Sequence, residues 1–186
     1  MEFYKRMPDE NIFIDIIGKW IVDILLVVII GIFIAFYVCS EYKIVGNSMS
    51  GKINSGEKVF VNTTAYDLMK PGRYDVIKFS AVSEDGINEN YVKRIIGLPG
   101  ETVQIKDGYI YINDEKITYN SSKDKIVNAG LAGEKITLGN DEYFVLGDNC
   151  NSSEDSRFKS VGNVKLKNIQ GKVWLRISPF VRIGFI

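Results

Sequence analysis

Three short segments of the chain carry side chains that could perform chemistry. They are residues 46–49 (Gly-Asn-Ser-Met), residues 91–96 (Tyr-Val-Lys-Arg-Ile-Ile) and a polar loop, residues 147–157, that begins Gly-Asp-Asn. The 186 residues include no histidine, which excludes Ser-His-Asp and Cys-His catalysis and every histidine-ligated metal site. A serine hydroxyl that passes its proton to a lysine amine is the recognised hydrolytic arrangement that remains.

Lys93 lies in a run whose composition predicts a β-strand. In a strand, Tyr91, Lys93 and Ile95 share one face, so the lysine stands between two large apolar side chains. Burial disfavours an ammonium, and a fall of its pKa from about 10.4 to about 8 would cost roughly 3 kcal/mol. A lysine on an edge strand would instead reach into solvent, and this run alone leaves both interpretations open.

The other two segments are ambiguous when taken singly. Gly46 permits a tight turn that could present the Ser48 hydroxyl, although Gly-Asn-Ser is also common in ordinary turns. In the polar loop, Asp155 and Arg157 are spaced to form an ion pair, and Ser153 could orient another polar group. A solvated loop without function would have a similar composition.

Charge and cysteine content exclude several classes of partner and site. The chain has 23 basic and 23 acidic residues, so its net charge of zero gives no reason to expect a nucleic-acid partner. Its two cysteines, Cys39 and Cys150, cannot form a four-thiolate metal site, and we expect no disulfide between them. The glycine-rich phosphate-binding motifs GxxxxGK(S/T) and GxGxxG are both absent from the sequence. We therefore expect no cofactor and no metal.

Residues 20–40 are predicted to form a single transmembrane helix. Residues 24–40 carry no charge, and a helix over 20–40 is roughly 31 Å long, which matches a hydrocarbon core of about 30 Å. A cleavable leader is the alternative, but the acidic residues among 1–19 are unlike a short basic leader. Basic residues before the helix predict that residues 1–19 lie in the cytoplasm and that residues 41–186 lie on the extracytoplasmic side of the cell membrane.

Residues 41–186 are predicted to form one mainly β, extracytoplasmic domain. Alternating or β-branched runs recur between turn-forming residues, and sustained helical periodicity is lacking. The predicted strands are 58–62, 75–79, 91–96, 102–105, 109–112, 142–146 and 171–177. Asp107-Gly108 predicts a hairpin turn, 119–135 an exposed loop, and 173–186 a final strand followed by a hydrophobic tail.

Together these segments resemble the bacterial type I signal peptidases, which are membrane-anchored Ser-Lys endopeptidases. Ser48-Met49 matches the nucleophile motif of that family, and residues 71–79 are similar to the strand that follows it. Residues 91–101 closely match the segment with the lysine base, and the polar loop matches the signature loop. The resemblance covers the whole chain and is nearest to the Gram-positive members. It implies an outer domain that is a β-barrel or β-sandwich, preceded by one N-terminal transmembrane helix.

The resemblance also implies a role for each site residue. Ser48 would attack the carbonyl carbon of the last signal-peptide residue, and its backbone N–H would help to bind the oxyanion. Neutral Lys93 would take the hydroxyl proton. Ser153 would hold Lys93 in place, and a salt bridge between Asp155 and Arg157 would brace the loop.

Two glycines depart from the family pattern. Gly51 stands where proline is usual, and Gly46 stands where some relatives have a hydroxyl side chain as a second oxyanion donor. Since glycine frees the backbone where proline would fix φ, we expect a looser nucleophile turn or a narrower set of substrates. The second oxyanion donor is left unassigned.

The expected function is removal of signal peptides from exported preproteins at the membrane lipid surface. A peptidase dedicated to pilins or other surface-fibre subunits is one alternative, and a non-cleaving assembly chaperone of the same fold is another. A self-cleaving repressor uses a related Ser-Lys scaffold, but the apolar helix and the lack of a basic DNA-binding segment disfavour it.

Overall fold

The computed structural model describes residues 10–82, 86–118 and 125–186 and divides into two compact units, Met1–Val38 and Cys39–Ile186. The first unit contains one helix, α1 (Glu10–Val38), whose residues Ile16–Phe33 are long and apolar enough to cross a membrane. The helix ends two residues before the predicted limit of the span at residue 40. Cys39 and Ser40 instead begin a strand, because their backbone pairs with a neighbouring strand.

The second unit is mainly β, as predicted. Its strands and its short helix α2 are β1 (Cys39–Lys43), β2 (Lys58–Asn62), α2 (Ala65–Leu68), β3 (Val76–Val82), β4 (Asn88–Gly97), β5 (Thr102–Lys106), β6 (Tyr109–Ile112), β7 (Glu115–Lys116), β8 (Ile136–Thr137), β9 (Glu142–Leu146), β10 (Val164–Lys165), β11 (Ile169–Ser178) and β12 (Gly184–Phe185). Single 3-10 turns lie at Gly130–Gly133, Cys150–Ser152, Leu166–Asn168 and Phe180–Arg182.

The described strands form two antiparallel sheets. The larger sheet has the order β1-β2-β11-β3-β4-β9-β10, with β12 paired to β11. The smaller sheet has the order β7-β6-β5-β8. Strand β4 therefore lies inside the larger sheet, paired on one side with β3 and on the other with β9, so the backbone around Lys93 is held from both sides.

Both faces of the larger sheet are covered by apolar side chains. Val76 and Ile77 are neighbours on β3 and point to opposite faces, and each belongs to a different buried cluster. A third cluster joins Ile96 of β4 and Phe144 of β9 to the smaller sheet through Val103 of β5. The smaller sheet consequently packs against the part of the larger sheet that carries β4 and β9.

Each of the seven predicted strands is present, three with the predicted end points and four with end points that differ by up to three residues. The predicted hairpin at Asp107-Gly108 is confirmed, since Lys106 pairs with Tyr109 and both turn residues have positive φ (54° and 80°). Five short strands were not predicted: β1, β7, β8, β10 and β12. Most of these are two residues long, which is too short to show a periodic pattern.

The prediction that residues 119–135 form an exposed loop holds for most of the described part, 125–135, in which all residues except Ile126, Ala129 and Ala132 are exposed; residues 119–124 lie outside the described residues. Ala132 is fully buried in the cluster beneath the smaller sheet, and Ile126 is buried there too. Leu131 donates its N–H to the carbonyl of Arg157 (2.9 Å). Apolar contacts and this backbone bond, formed with residues distant in sequence, fix a segment whose local composition indicates a loop.

Gly130→Ala is expected to destabilise the fold more than Gly162→Ala. Both glycines have positive φ (52° and 61°), which costs an alanine about 1–2 kcal/mol. A Cβ on Gly130 would also collide with the Arg157 carbonyl oxygen, whereas Gly162 has open space around it. Urea unfolding of the two variants measures the difference, and equal losses would contradict the close approach at Gly130.

Candidate active site

Ser48 lies in a tight turn between β1 and β2. Ser50 donates its N–H to the carbonyl of Asn47 (3.1 Å), and Ile53 donates to the carbonyl of Met49 (2.9 Å). The side chains of Met49 and Ile53 are fully buried in a core cluster. The residue directly after Ser48 thus anchors the turn in the core and leaves the serine itself half-buried at the surface.

Gly51 of the same turn has φ of 99°. Proline is fixed near φ −65°, so the family's usual residue could not adopt this conformation. A side chain at this position would meet only open space, so the path of the backbone, and not crowding, is what requires glycine here. The effect of Gly51 on substrate range stays a prediction.

Lys93 is buried at the centre of β4, with 3% of its surface exposed. The alternative of a lysine that reaches into solvent is therefore wrong. Burial lowers the pKa of Lys93 from 10.5 to about 8; the charges of Asp155 and Glu154 oppose this shift, and Arg157 adds to it. Lys93 forms no ion pair with any described residue, so desolvation dominates its protonation.

Ser48 and Lys93 line the same open cavity, whose volume is about 290 Å³. Tyr42 of β1 and Tyr91 of β4 also line it, and the Lys93 Nζ atom lies 5.8 Å from the centroid of the Tyr91 ring. Glu154 of the polar loop contributes to the same wall. Two segments that are distant in sequence thus share one partly apolar cleft.

The polar loop is attached directly to the Ser48 turn. Asn149 donates its backbone N–H to the carbonyl of Ser48 (2.9 Å) and its side-chain amide to the carbonyl of Asn47 (3.3 Å). Gly147 is packed so closely that a Cβ there would collide with both the Ser48 carbonyl oxygen and Ser153 Oγ. The structure therefore brings Ser153 beside the predicted nucleophile.

Asp155 and Arg157 form a buried, bidentate ion pair. Arg157 donates from Nε to Asp155 Oδ1 (2.7 Å) and from Nη2 to Asp155 Oδ2 (2.9 Å). Asp155 Oδ2 also accepts from the Ser153 hydroxyl (2.7 Å), and Arg157 Nη1 donates to the carbonyl of Asn128 (2.8 Å). Each charge is compensated and hydrogen-bonded, which is the condition for burying an ion pair without a large penalty.

Sequence reasoning missed a second ion pair, between Arg94 and Asp148. Arg94 Nε and Nη2 donate to the two Asp148 oxygens (2.9 and 2.7 Å), and Nη1 donates to the carbonyl of Tyr74 (2.9 Å). This pair joins β4, one residue after Lys93, to the start of the polar loop. An arginine within an apolar strand was the available signal, because such a charge requires a partner when buried.

Cys39 and Cys150 are both free, which confirms the prediction that they form no disulfide. Burial raises the pKa of Cys150 to about 11, and its thiol donates to the carbonyl of Gly147 (3.2 Å). A thiol with such a raised pKa is mostly protonated at neutral pH and is a poor nucleophile.

The chain matches the family model described as "Signal peptidase, peptidase S26" over residues 17–178. It belongs to that family. Membership makes it a peptidase of signal-peptide processing, as the resemblance implied, and the described N-terminal apolar helix is compatible with the membrane anchoring of signal peptidase I proteins.

Curated relatives of this signal peptidase family member cover most of its length. Signal peptidase I of Bacillus licheniformis is 32% identical over 172 residues, 89% of this chain and 90% of that protein. Signal peptidase I of Bacillus caldolyticus is 36% identical over 160 residues, 80% and 85% of the two chains. A crystal structure of a signal peptidase I from Enterococcus faecalis V583 aligns with TM-score 0.44 and 33% identity, covering 55% of this chain and 96% of that one.

The free energy of unfolding is expected to rise with pH because of Lys93. Between about pH 8 and 10.5 the unfolded chain holds a proton here that the folded chain has released, so stability increases across that interval. Wild type should gain about 2 to 3 kcal/mol relative to Lys93→Met between pH 7 and 10. Urea unfolding of the full chain in detergent measures this, with exposed Lys106→Met as control. A constant difference between wild type and Lys93→Met would show that Lys93 is not desolvated.

Proposed function

We propose that this chain is a membrane-anchored serine endopeptidase that removes signal peptides from exported preproteins, with Ser48 as nucleophile and Lys93 as general base. The observation that carries the proposal is a buried lysine of pKa about 8 in the same cavity as a half-buried serine. A group with a pKa near the working pH is suited to accept a proton and to return it.

Each proton transfer then has a donor and an acceptor. As Ser48 Oγ bonds to the scissile carbonyl carbon, its proton passes to Lys93 Nζ. The resulting ammonium gives that proton to the leaving amine when the C–N bond breaks, which leaves an ester on Ser48. Water attacks this ester, with Lys93 again taking a proton, and the signal peptide leaves with a new carboxylate as the serine regains its hydrogen.

The backbone N–H of Ser48 is the proposed oxyanion donor. Within the described part of the chain, this N–H donates no hydrogen bond to another backbone carbonyl, so it is available to a developing negative charge. The carbonyl of Ser48, in contrast, is held by Asn149. That bond fixes the orientation of the peptide plane on the other side of the nucleophile.

Ser153 is proposed to orient the Lys93 amine. The Ser153 hydroxyl proton is donated to Asp155, so the lone pairs of its oxygen are free to accept a hydrogen bond from the amine. Asp155 in turn is held by Arg157, which makes the ion pair a support for Ser153. The three residues thereby form a buried chain that ends at the base.

Membrane attachment completes the proposal. Residues 20–38 of α1 would span the bilayer, residues 1–19 would lie in the cytoplasm, and the β domain would lie on the extracytoplasmic side. A preprotein held in the same lipid would meet the cavity at a raised effective concentration. Its extended cleavage segment would bind along the cleft by strand-like pairing.

Ser48→Ala and Lys93→Ala are each expected to reduce cleavage of a preprotein by at least about 10³-fold, because each removes one half of the reacting pair. Ser160→Ala and Lys106→Ala should cleave like wild type. The assay mixes the full chain in detergent with a panel of preproteins that includes a pilin precursor, and mass spectrometry maps each cut. Cutting of the pilin precursor alone would indicate a dedicated peptidase. Binding without any cut would contradict the enzymatic proposal and indicate a chaperone.

The cleavage rate is expected to rise with pH and level off above about 8, as Lys93 loses its proton. Single-turnover rates between pH 6 and 10 measure this profile. The exposed-lysine variant Lys106→Ala should give the same midpoint as wild type. A rate that does not change across this interval would exclude Lys93 as the base.

A further inference from the structure

A buried carboxylate, Glu57, lies at the end of the loop that carries Ser48, and the proposed chemistry does not use it. Glu57 is 6% exposed. Its Oε1 atom lies 2.7 Å from Arg182 Nη1, and its Oε2 atom lies 3.7 Å from Arg176 Nη1. Oε2 also accepts the backbone N–H of Asn54 (3.0 Å). We call Glu57, Arg176 and Arg182 the Glu57 cluster.

The arginines of the Glu57 cluster also hold the Ser48 loop through its backbone. Arg176 Nη1 donates to the carbonyl oxygen of Lys52, and Arg176 Nε donates to the carbonyl oxygen of Arg182. Arg182 itself is fixed by a 3-10 turn in which its N–H donates to the carbonyl of Pro179 (2.9 Å). The two arginines therefore connect β11 and the turn after it to the loop at two points, Lys52 and Glu57, and Glu57 in turn holds Asn54.

These points lie close to Ser48 along the backbone. One hydrogen bond, from Ile53 to the carbonyl of Met49, separates Lys52 and Asn54 from the nucleophile turn. At the far end of the loop, Ile44 donates its N–H to the carbonyl of Glu57 (2.9 Å), which closes the loop at its base. A movement of Lys52 or Asn54 would thus be transmitted to Ser48 through one bonded turn.

Gly51 makes such outside support necessary. It lies between Ser48 and Lys52 at φ of 99°, a conformation that a proline could not stabilise. A glycine loses more conformational freedom on folding than other residues, so ordering this turn costs more free energy. Burial of Met49 and Ile53 offsets part of that cost, contacts from β11 and the following turn offset more of it, and Ile186 packs against the same core cluster.

We propose that Glu57, Arg176 and Arg182 are positioning residues that hold the Ser48 loop so that the serine hydroxyl meets the Lys93 amine. The inference rests on the proposed role of Ser48. Nucleophilic attack requires the reacting atoms within about 3–3.5 Å, and a misplacement of 1 Å can cost about 100-fold in rate. The cluster acts on orientation alone, because none of its members lines the cavity.

The test uses Arg182→Gln and Arg176→Gln in the full-length chain in detergent. We expect kcat to fall about tenfold or more, with KM changed less than about twofold and the midpoint of the pH profile unchanged. Arg182→Lys should restore most of kcat, since it keeps the charge that faces Glu57. Lys172→Gln is the matched control, because Lys172 also lies on β11 and pairs with a part-buried carboxylate (Asp75, 2.7 Å) away from the loop.

Hydrogen exchange gives a second measurement that does not need activity. In Arg182→Gln, the amides of Ser50 and Ile53 should exchange at least about tenfold faster, while those of β5 and β6 stay unchanged. Glu57→Gln should show the same exchange pattern if that variant folds. If it does not fold, Arg182→Gln still provides the test, because the Arg182 side chain is part-exposed.

Three outcomes would overturn the inference. The arginine variants could cleave with the kcat of wild type, they could lose no more kcat than Lys172→Gln, or the loop amides could exchange as in wild type. Failure of the proposed function itself is distinguishable, since either wild type would then cut no preprotein or Ser48→Ala would cleave like wild type. In that case, unchanged hydrogen exchange of the loop amides would show that the Glu57 cluster does not hold the loop. Faster exchange without any effect on catalysis would show that the Glu57 cluster has a purely structural role.

Discussion

The chemistry proposed for the cavity depends on the Lys93 amine, which is desolvated next to the ion pair of Asp155 and Arg157. Desolvation of Lys93 on β4 is the largest contribution to its lowered pKa. Asp155 and Glu154 raise that pKa and Arg157 lowers it, so Arg157, paired with Asp155, offsets part of the acidic charge and the effect of burial dominates. If Asp155 or Arg157 lost its partner, the charge of the remaining residue would shift the pKa of Lys93 without an opposite charge to offset it. Compensated neighbours therefore allow a lysine to be neutral near physiological pH inside a small domain.

The same ion pairs connect segments that are far apart in the chain. Arg94 joins β4 to the polar loop through Asp148, and Arg157 joins that loop to the backbone of Asn128. Buried ion pairs add little net stability compared with apolar packing, but loss of one partner leaves an uncompensated charge. Their effect here is on placement. Each one fixes a segment that contributes to the walls or the support of the cavity.

The strands and the site segments could be predicted because their signals are local. Alternating apolar residues between turn formers indicate strands such as 109–112, and Asp107-Gly108 indicates the turn before it. Cys39 and Ser40 continue an apolar run and so read as helix, and only pairing with β2 shows them to be a strand. The burial of Ile126 and Ala132 within the otherwise exposed segment 125–135 was likewise invisible, since it comes from contacts with the core beneath the smaller sheet.

By itself, the sequence determined which chemistry is available: with no histidine, catalysis is left to carboxylates, hydroxyls and amines, in a chain that also has a long apolar helix. It also supplied the motifs in which Ser48, Lys93 and the polar loop occur. The tertiary structure decided that Lys93 is buried in the cavity that Ser48 lines, and that Asp148 compensates Arg94. The reason is physical. Residue type and spacing are properties of the chain, whereas desolvation and charge pairing depend on which distant segments pack together.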